Sequence, residues 1–484
     1  MKVDKLSKNQ VFNNSLWKFF ESVGSSGIQL LVTLILARLL TPHDYGLMAI
    51  VLVVVTFLAL FINSGIASYL VYLKDVKKQD FLTTLIINVG VSVLLLFGLL
   101  LSSGTIADYY SAPSLKPLIM AMAISLPFNA ISSVYNAYAI KLSYFRALFV
   151  RNMIALPTSG ILALILAYTG YGVWALVAQQ LSSSVLLALI MVVTIKVNVD
   201  GVWQVNMGIV KPMLKFGGFT LLTTIIAFIS DNISDLLIGK RISPKQLGYY
   251  NRGCHFPGSF VNIFNNVLAG VFFPAFASYN SDIADLKEKS RKTIRLLYFV
   301  VFPLFFGLIA CTKPLILVIL TEKWAGTILV MQIICLYYCM IPFLQTYSQV
   351  FLATGHVKLR TVGEIVKMVL TLPLLFLIVD FGIIAVALAR VAVNATLVVY
   401  SMIINKYVLN YTFSEFLSDM IRPLLLGLLV FAMLYPVNFI PIDMRLILII
   451  QFVIGGVIYL LCVKIMRIKE IMELISLVIA KVKR

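Results

Sequence analysis

Ionisable side chains stand inside strongly apolar runs, among them Lys18 and Glu21, Asp231 and Asp235, Glu364 and Lys367, and Arg390. The first six fall into pairs three or four residues apart, so each pair shares one helical face. A charge inside a bilayer is expensive and marks a pairing partner, a substrate site or an ion path. Asp231 and Asp235, with Asn232 beside them, put like charges one turn apart. A basic neighbour or a cation must sit between them, or one of them must hold a proton. Arg390 lies deep in the run from Ala385 to Val399 and requires a carboxylate or a water-filled cavity. Lys18 with Glu21, and Glu364 with Lys367, read either as cavity groups or as interfacial ion pairs. A positive cavity suits an anionic lipid-linked cargo, and one led by carboxylates suits organic cations. Both signs occur, so these residues point to transport and leave the cargo open.

The elements that carry these charges follow from composition. Of 484 residues, 61% are hydrophobic and 12% are charged, against about 25% charged in a soluble domain; mean hydropathy is +0.99. Breaking the apolar runs at charges, Pro and Gly gives about fourteen membrane spans. They are 12–40, 44–73, 80–103, 115–141, 146–168, 172–195, 212–239, 253–279, 293–320, 326–351, 358–379, 382–404, 419–436 and 443–465. The expected fold class is an all-α polytopic membrane protein. The first span is too long for a signal-peptide core and is read as retained.

Lys74, Lys77, Lys78, Lys141, Arg146, Arg151, Lys196, Lys287, Lys289, Arg291, Lys292, Lys358 and Arg360 gather on one side, with the basic tail from Arg467 to Arg484. By the positive-inside rule that side, and both termini, face the cytoplasm. The net charge of +19 then reflects an anionic inner leaflet and not nucleic acid.

The chain also repeats itself. Leu36-Ala37-Arg38-Leu39-Leu40-Thr41-Pro42-His43-Asp44-Tyr45-Gly46 aligns without a gap on Ile238-Gly239-Lys240-Arg241-Ile242-Ser243-Pro244-Lys245-Gln246-Leu247-Gly248. Tyr171-Gly172-Val173-Trp174-Ala175-Leu176 is echoed by Phe381-Gly382-Ile383-Ile384-Ala385-Val386. Residues 1–200 and 201–410 therefore read as two six-span lobes, and 411–484 as two extra helices with a basic tail. A connecting loop, rich in charge, is expected from Asn280 to Lys292. Parallel repeats place a cavity between lobes, related by an axis along the membrane normal. In the repeat Gln180 matches Arg390, which makes that row polar in both copies. Arg38 and Lys240 are also matched. They either snorkel beside tight hairpins or guard the outer mouth of a cavity.

No Gly-x-x-x-x-Gly-Lys loop and no His-Glu-x-x-His motif occurs, and the only histidines are His43, His255 and His356. ATP hydrolysis in cis and zinc chemistry are not expected. The five cysteines, in or beside apolar runs, read as small packing hydrophobes. Neither metal nor organic cofactor is expected.

The string from Leu36 to Gly46 resembles the end of the first helix in bacterial polysaccharide and O-antigen flippases. These belong to the multidrug/oligosaccharidyl-lipid/polysaccharide exporter superfamily. Asn63-Ser64-Gly65-Ile66-Ala67 resembles the family's second helix, with Asn63 where Asp is usual. Asp231-Asn232 through Lys240 and Leu247-Gly248-Tyr249-Tyr250-Asn251-Arg252 resemble its seventh and eighth. The resemblance implies two six-helix lobes in a V, with two extra helices. It implies an undecaprenyl-pyrophosphate-linked oligosaccharide cargo moved to the outer leaflet of a bacterial cytoplasmic membrane, driven by an ion gradient or membrane potential. The expected function is such a flippase, not an enzyme, with polysaccharide polymerase and chain-length machinery as partners. Arg390, Lys18 and Lys367, with Glu21, Glu364 and Gln180, would line the cavity, and Asp231 and Asp235 would couple the ion. The rivals are a multidrug/cation antiporter of the same superfamily and a membrane-embedded polymerase or ligase. The latter would carry a large external loop, which this sequence lacks.

Overall fold

A computed structural model describes residues 8–73, 76–195, 197, 206–267 and 283–465, and within them every regular element is helical. The helices of the first part are α1 (Lys8–Leu39), α2 (Pro42–Phe61), α3 (Ser68–Tyr72), α4 (Lys78–Tyr109), α5 (Leu115–Ala123), α6 (Ser125–Lys141), α7 (Phe145–Tyr168), α8 (Trp174–Thr194) and α9 (Met207–Arg241). There follow α10 (Pro244–Val267), α11 (Ile283–Ile319), α12 (Ile328–Ala353), α13 (Val357–Ile378), α14 (Ile383–Leu409), α15 (Phe413–Leu434) and α16 (Met444–Ile465).

Thirteen helical stretches among the described residues are long and apolar enough to cross a membrane. The span expected at 253–279 begins on α10 and runs into residues 268–282, which lie outside the described ones. The basic tail beyond residue 465 also lies outside them, as does Lys196.

Several boundaries differ from the sequence reading. The connecting loop expected from Asn280 to Lys292 is helical from Ile283 onward. Its charges belong to α11, whose 37 residues extend roughly 55 Å at 1.5 Å per residue. That exceeds the ~30 Å of hydrocarbon, so the charged first turns can stand in the polar zone. The fourth span is divided at Ile124 into α5 and α6. The second ends in a π-helical segment, Ile62–Ala67, that continues into α3.

By packing, the chain divides into two units, Met1–Gly248 and Tyr249–Arg484. In the first, α7 packs on α1 and α8, α6 on α4 and α8, and α9 on α2. In the second, α12 packs on α11 and α14, and α14 also on α13. The two extra helices both settle on α11, and α15 makes the most extensive helix pair among the described residues with it. The packing boundary falls one helix later than the repeat boundary at residue 200. Sequence similarity assigns α9 to the second copy, while α9 packs on α2 of the first unit.

Candidate functional site

The two echoing strings fold alike and meet. Each begins a helix with proline at the first helical position, where its missing N–H costs nothing. Thr41 caps α2: its Oγ1 accepts from the Asp44 N–H at 3.3 Å, and Asp44 Oδ2 accepts from the Thr41 N–H at 2.9 Å. This reciprocal pairing fixes where the helix starts. In the second copy Ser243 Oγ accepts from the Gln246 N–H at 3.2 Å. One turn into each helix stands a buried glycine on which the other string rests. A methyl group at Gly46 would lie 1.6 Å from the carbonyl oxygen of Pro244, and one at Gly248 would lie 1.8 Å from that of Pro42. The contact is reciprocal, as a local two-fold relation between two copies requires. It brings Pro42 and Pro244 to one end of the unit. The second echo has its own backbone signature: Gly172 and Gly382 both adopt positive φ, 55° and 99°, a region that L side chains avoid.

The matched basic residues part company. Lys240 lies 4.6 Å above the Tyr109 ring and donates to the Tyr109 carbonyl, which ends α4. It thereby caps the negative end of that helix. Arg38 is exposed. The acids of α9 lie near the same end: Asp231 is exposed and Asp235 half-buried. Burial, then the neighbouring Tyr109 and the charge of Asp235, push the Tyr110 hydroxyl up to about 12.

Among the described residues, Arg390 is held by aromatic hydroxyls and not by a carboxylate. From α14 its guanidinium donates to Tyr250 Oη of α10 at 3.3 Å and to Tyr337 Oη of α12 at 3.1 Å, and it lies 4.5 Å above the Tyr337 ring. Both tyrosines are buried. Hydroxyls and a ring face solvate a cation without neutralising it. Arg390 therefore keeps its charge, and with five N–H donors it retains more than these two contacts use. Its repeat counterpart Gln180 is exposed on α8, so the polar row serves different ends in the two copies.

Glu21 also takes an unexpected partner. Asn152 of α7 donates from Nδ2 to Glu21 Oε1 at 2.9 Å and to Ser25 Oγ at 3.1 Å, and Arg151 Nε donates to Asn152 Oδ1 at 3.0 Å. Glu21, Arg151 and Asn152 are all at most 9% exposed, so the cluster lies within the unit rather than at its surface. The sequence ranks Arg151 among the inner-end basic residues and sets Lys18 beside Glu21. The adjacent Arg151-Asn152 in an apolar run was the signal for the partner across the helix pair. The side chain of Lys18 lies outside the described residues. Glu364 and Lys367 stand half-buried, one turn apart on α13. Among the described residues no three metal-ligating side chains converge.

A family model described as "Polysaccharide biosynthesis protein" matches residues 35–329, beginning one residue before the string at Leu36. The succinoglycan biosynthesis transport protein ExoT of Rhizobium meliloti (strain 1021) is 24% identical over 324 residues, which cover 65% of this chain and 63% of that protein. The chain thus spans less than two thirds of that relative's length. The lipopolysaccharide biosynthesis protein WzxC of Escherichia coli (strain K12) is 22% identical over 329 residues, 68% of this chain and 67% of that protein. Among solved structures, the lipid II flippase MurJ in an inward closed conformation superposes with a TM-score of 0.76 at 14% identity, covering 95% of this chain and 100% of that chain. That likeness shows the fold.

Proposed function

The chain belongs to the polysaccharide biosynthesis protein family, and from that premise we propose that it is a flippase for lipid-linked oligosaccharides. It moves undecaprenyl-pyrophosphate-linked repeat units from the inner to the outer leaflet of a bacterial cytoplasmic membrane by alternating access. It performs no covalent chemistry on them. The observation that carries the sign of the cargo is Arg390, a guanidinium deep in an apolar helix with tyrosine hydroxyls around it. A cation built to stay charged in that setting favours an anionic group such as pyrophosphate over an organic cation. Asp231 and Asp235 are the coupling pair for Na⁺ or H⁺. A polysaccharide polymerase and its chain-length machinery receive the product.

Arg390→Ala should lower surface polysaccharide by roughly tenfold or more, the worth of one charge-assisted hydrogen bond, at unchanged protein level in the membrane. Arg390→Lys should restore little, because a point charge cannot grip two oxygens at once. Wild-type export by Arg390→Ala, measured by complementation of a flippase-deficient strain, would remove Arg390 from the cargo path.

The orientation has its own test. Reporter fusions after Lys78, Lys292 and Lys469 should read as cytoplasmic, and fusions near Pro42 and Pro244 as external. An external signal at Lys292 would reverse the assignment for the second half of the chain.

A further inference from the structure

A groove of about 430 Å³ opens where α1, the start of α7 and the end of α8 meet, lined by Trp17, Ser143, Tyr144, Arg146, Val150 and Ile195 among others. We infer that it binds the phosphodiester headgroup of an anionic phospholipid of the inner leaflet. The argument begins with charge. Arg146 is exposed, lies 5.9 Å over the Trp17 ring, and pairs with no carboxylate among the described residues. Lys141, five residues earlier, is already committed: its ammonium donates to the carbonyls of Val71 and Leu73. Arg146 also stands in the first turn of α7, which carries no acidic residue and no side-chain cap. A cation at a helix N-terminus is unfavourable unless an anion joins it, and the open N–H groups there suit an anion as well.

The groove is graded in polarity as a lipid is. Ser143 and Tyr144 supply hydroxyls and Arg146 a planar set of donors at one end. Val150 and Ile195 supply an apolar wall at the other. A tryptophan and an arginine stem at this level are at home in the interface between headgroups and acyl chains. Charge matching selects the occupant. Among the described lining residues one guanidinium balances the single negative charge of a phosphodiester, whereas a diphosphate bears more charge than they supply. The volume takes a headgroup and glycerol, and offers no room for an attached oligosaccharide. The proposal rests on the orientation read from the basic residues and is independent of the cargo.

The full-length protein in nanodiscs or mild detergent should retain phosphatidylglycerol over phosphatidylcholine by native mass spectrometry. Arg146→Gln should lower that retention about fivefold, as expected for one basic residue at an anionic surface, while Arg146→Lys keeps most of it. Val150→Phe, which narrows the groove without altering charge, should also lower it. Thermal midpoints in phosphatidylcholine alone should match across the variants. Equal retention of the two lipids by the wild type would overturn the proposal, as would undiminished phosphatidylglycerol on Arg146→Gln. Displacement of phosphatidylglycerol by an equimolar polyprenyl diphosphate would overturn the choice of occupant.

Discussion

On the proposed function, alanine at Gly46 or at Gly248 should abolish polysaccharide export. The added methyl would lie 1.6 Å or 1.8 Å from a proline carbonyl oxygen. Ordinary carbon–oxygen contacts begin near ~3.3 Å. The opposing atom is backbone, so no rotamer change relieves the clash, and the two helix starts must part by roughly 1.5 Å. Overpacking of this kind costs about 1–3 kcal/mol or more. Because the contact is reciprocal, moving one string off its glycine also moves the other. Once one glycine is replaced, replacing the second should therefore cost less than it does alone. Gly27 and Gly98 provide controls in helices with nothing within 4 Å of an added methyl. Alanine there should be neutral or slightly stabilising. Thermal unfolding of the purified variants, read beside export in cells, checks this. Should Gly46→Ala and Gly248→Ala match Gly98→Ala in both, the close approach does not exist in the folded protein.

The second large effect is expected at Asp419, where α15 is fastened to α11. Arg291 Nε donates to Asp419 Oδ2 at 2.7 Å and Nη2 donates to Oδ1 at 3.1 Å, a two-pronged pair, while Nη1 reaches Glu415 Oε1 at 2.8 Å. Tyr411 donates to Asp419 Oδ2 at 3.0 Å, and burial together with the Asp419 charge pushes its hydroxyl up, so it remains a donor. Lys287 closes the network on Glu415 at 2.9 Å. The Asp419 side chain is 1% exposed. Deleting Asp419 leaves Arg291, whose side chain is 22% exposed, with Glu415, and takes the acceptor from the Tyr411 hydroxyl, at a cost of about 1–3 kcal/mol. Asp419→Ala should therefore lower the thermal midpoint sharply and expose the segment around Asn410 to protease. Arg291→Lys should fall between that variant and the wild type, since lysine cannot form the fork. An unchanged midpoint and cleavage pattern in Asp419→Ala would show that α15 is held by apolar packing alone.

How much of this was legible beforehand depended on the range of the physics. Helices, their approximate number and the repeat are written locally. A run of about 20 apolar residues can satisfy its backbone in lipid only as a helix. A Thr-Pro or Ser-Pro pair after such a run starts the next helix wherever it occurs. Gly172 and Gly382, in the second pair of matched strings, share a positive φ. Even the misread loop at residues 280–292 follows this rule. Its charges interrupt hydropathy, but they do not interrupt helical hydrogen bonding, so α11 runs through them.

Partnerships were not legible, because they join residues far apart in sequence. Glu21 has Lys18 three residues away, yet Asn152, 131 residues on, donates to it. Arg390 turned to Tyr250 and Tyr337, although the sequence offered acids as candidates. Lys240 and Arg38 are equivalent in the repeat, but only Lys240 has the end of α4 to cap. That this chain crosses a membrane many times and echoes itself at Leu36–Gly46 and Ile238–Gly248 is readable residue by residue, since apolar length and proline placement act within a few positions. Which partners each charge meets follows from the packing of the helices, because that choice depends on which helix lies alongside.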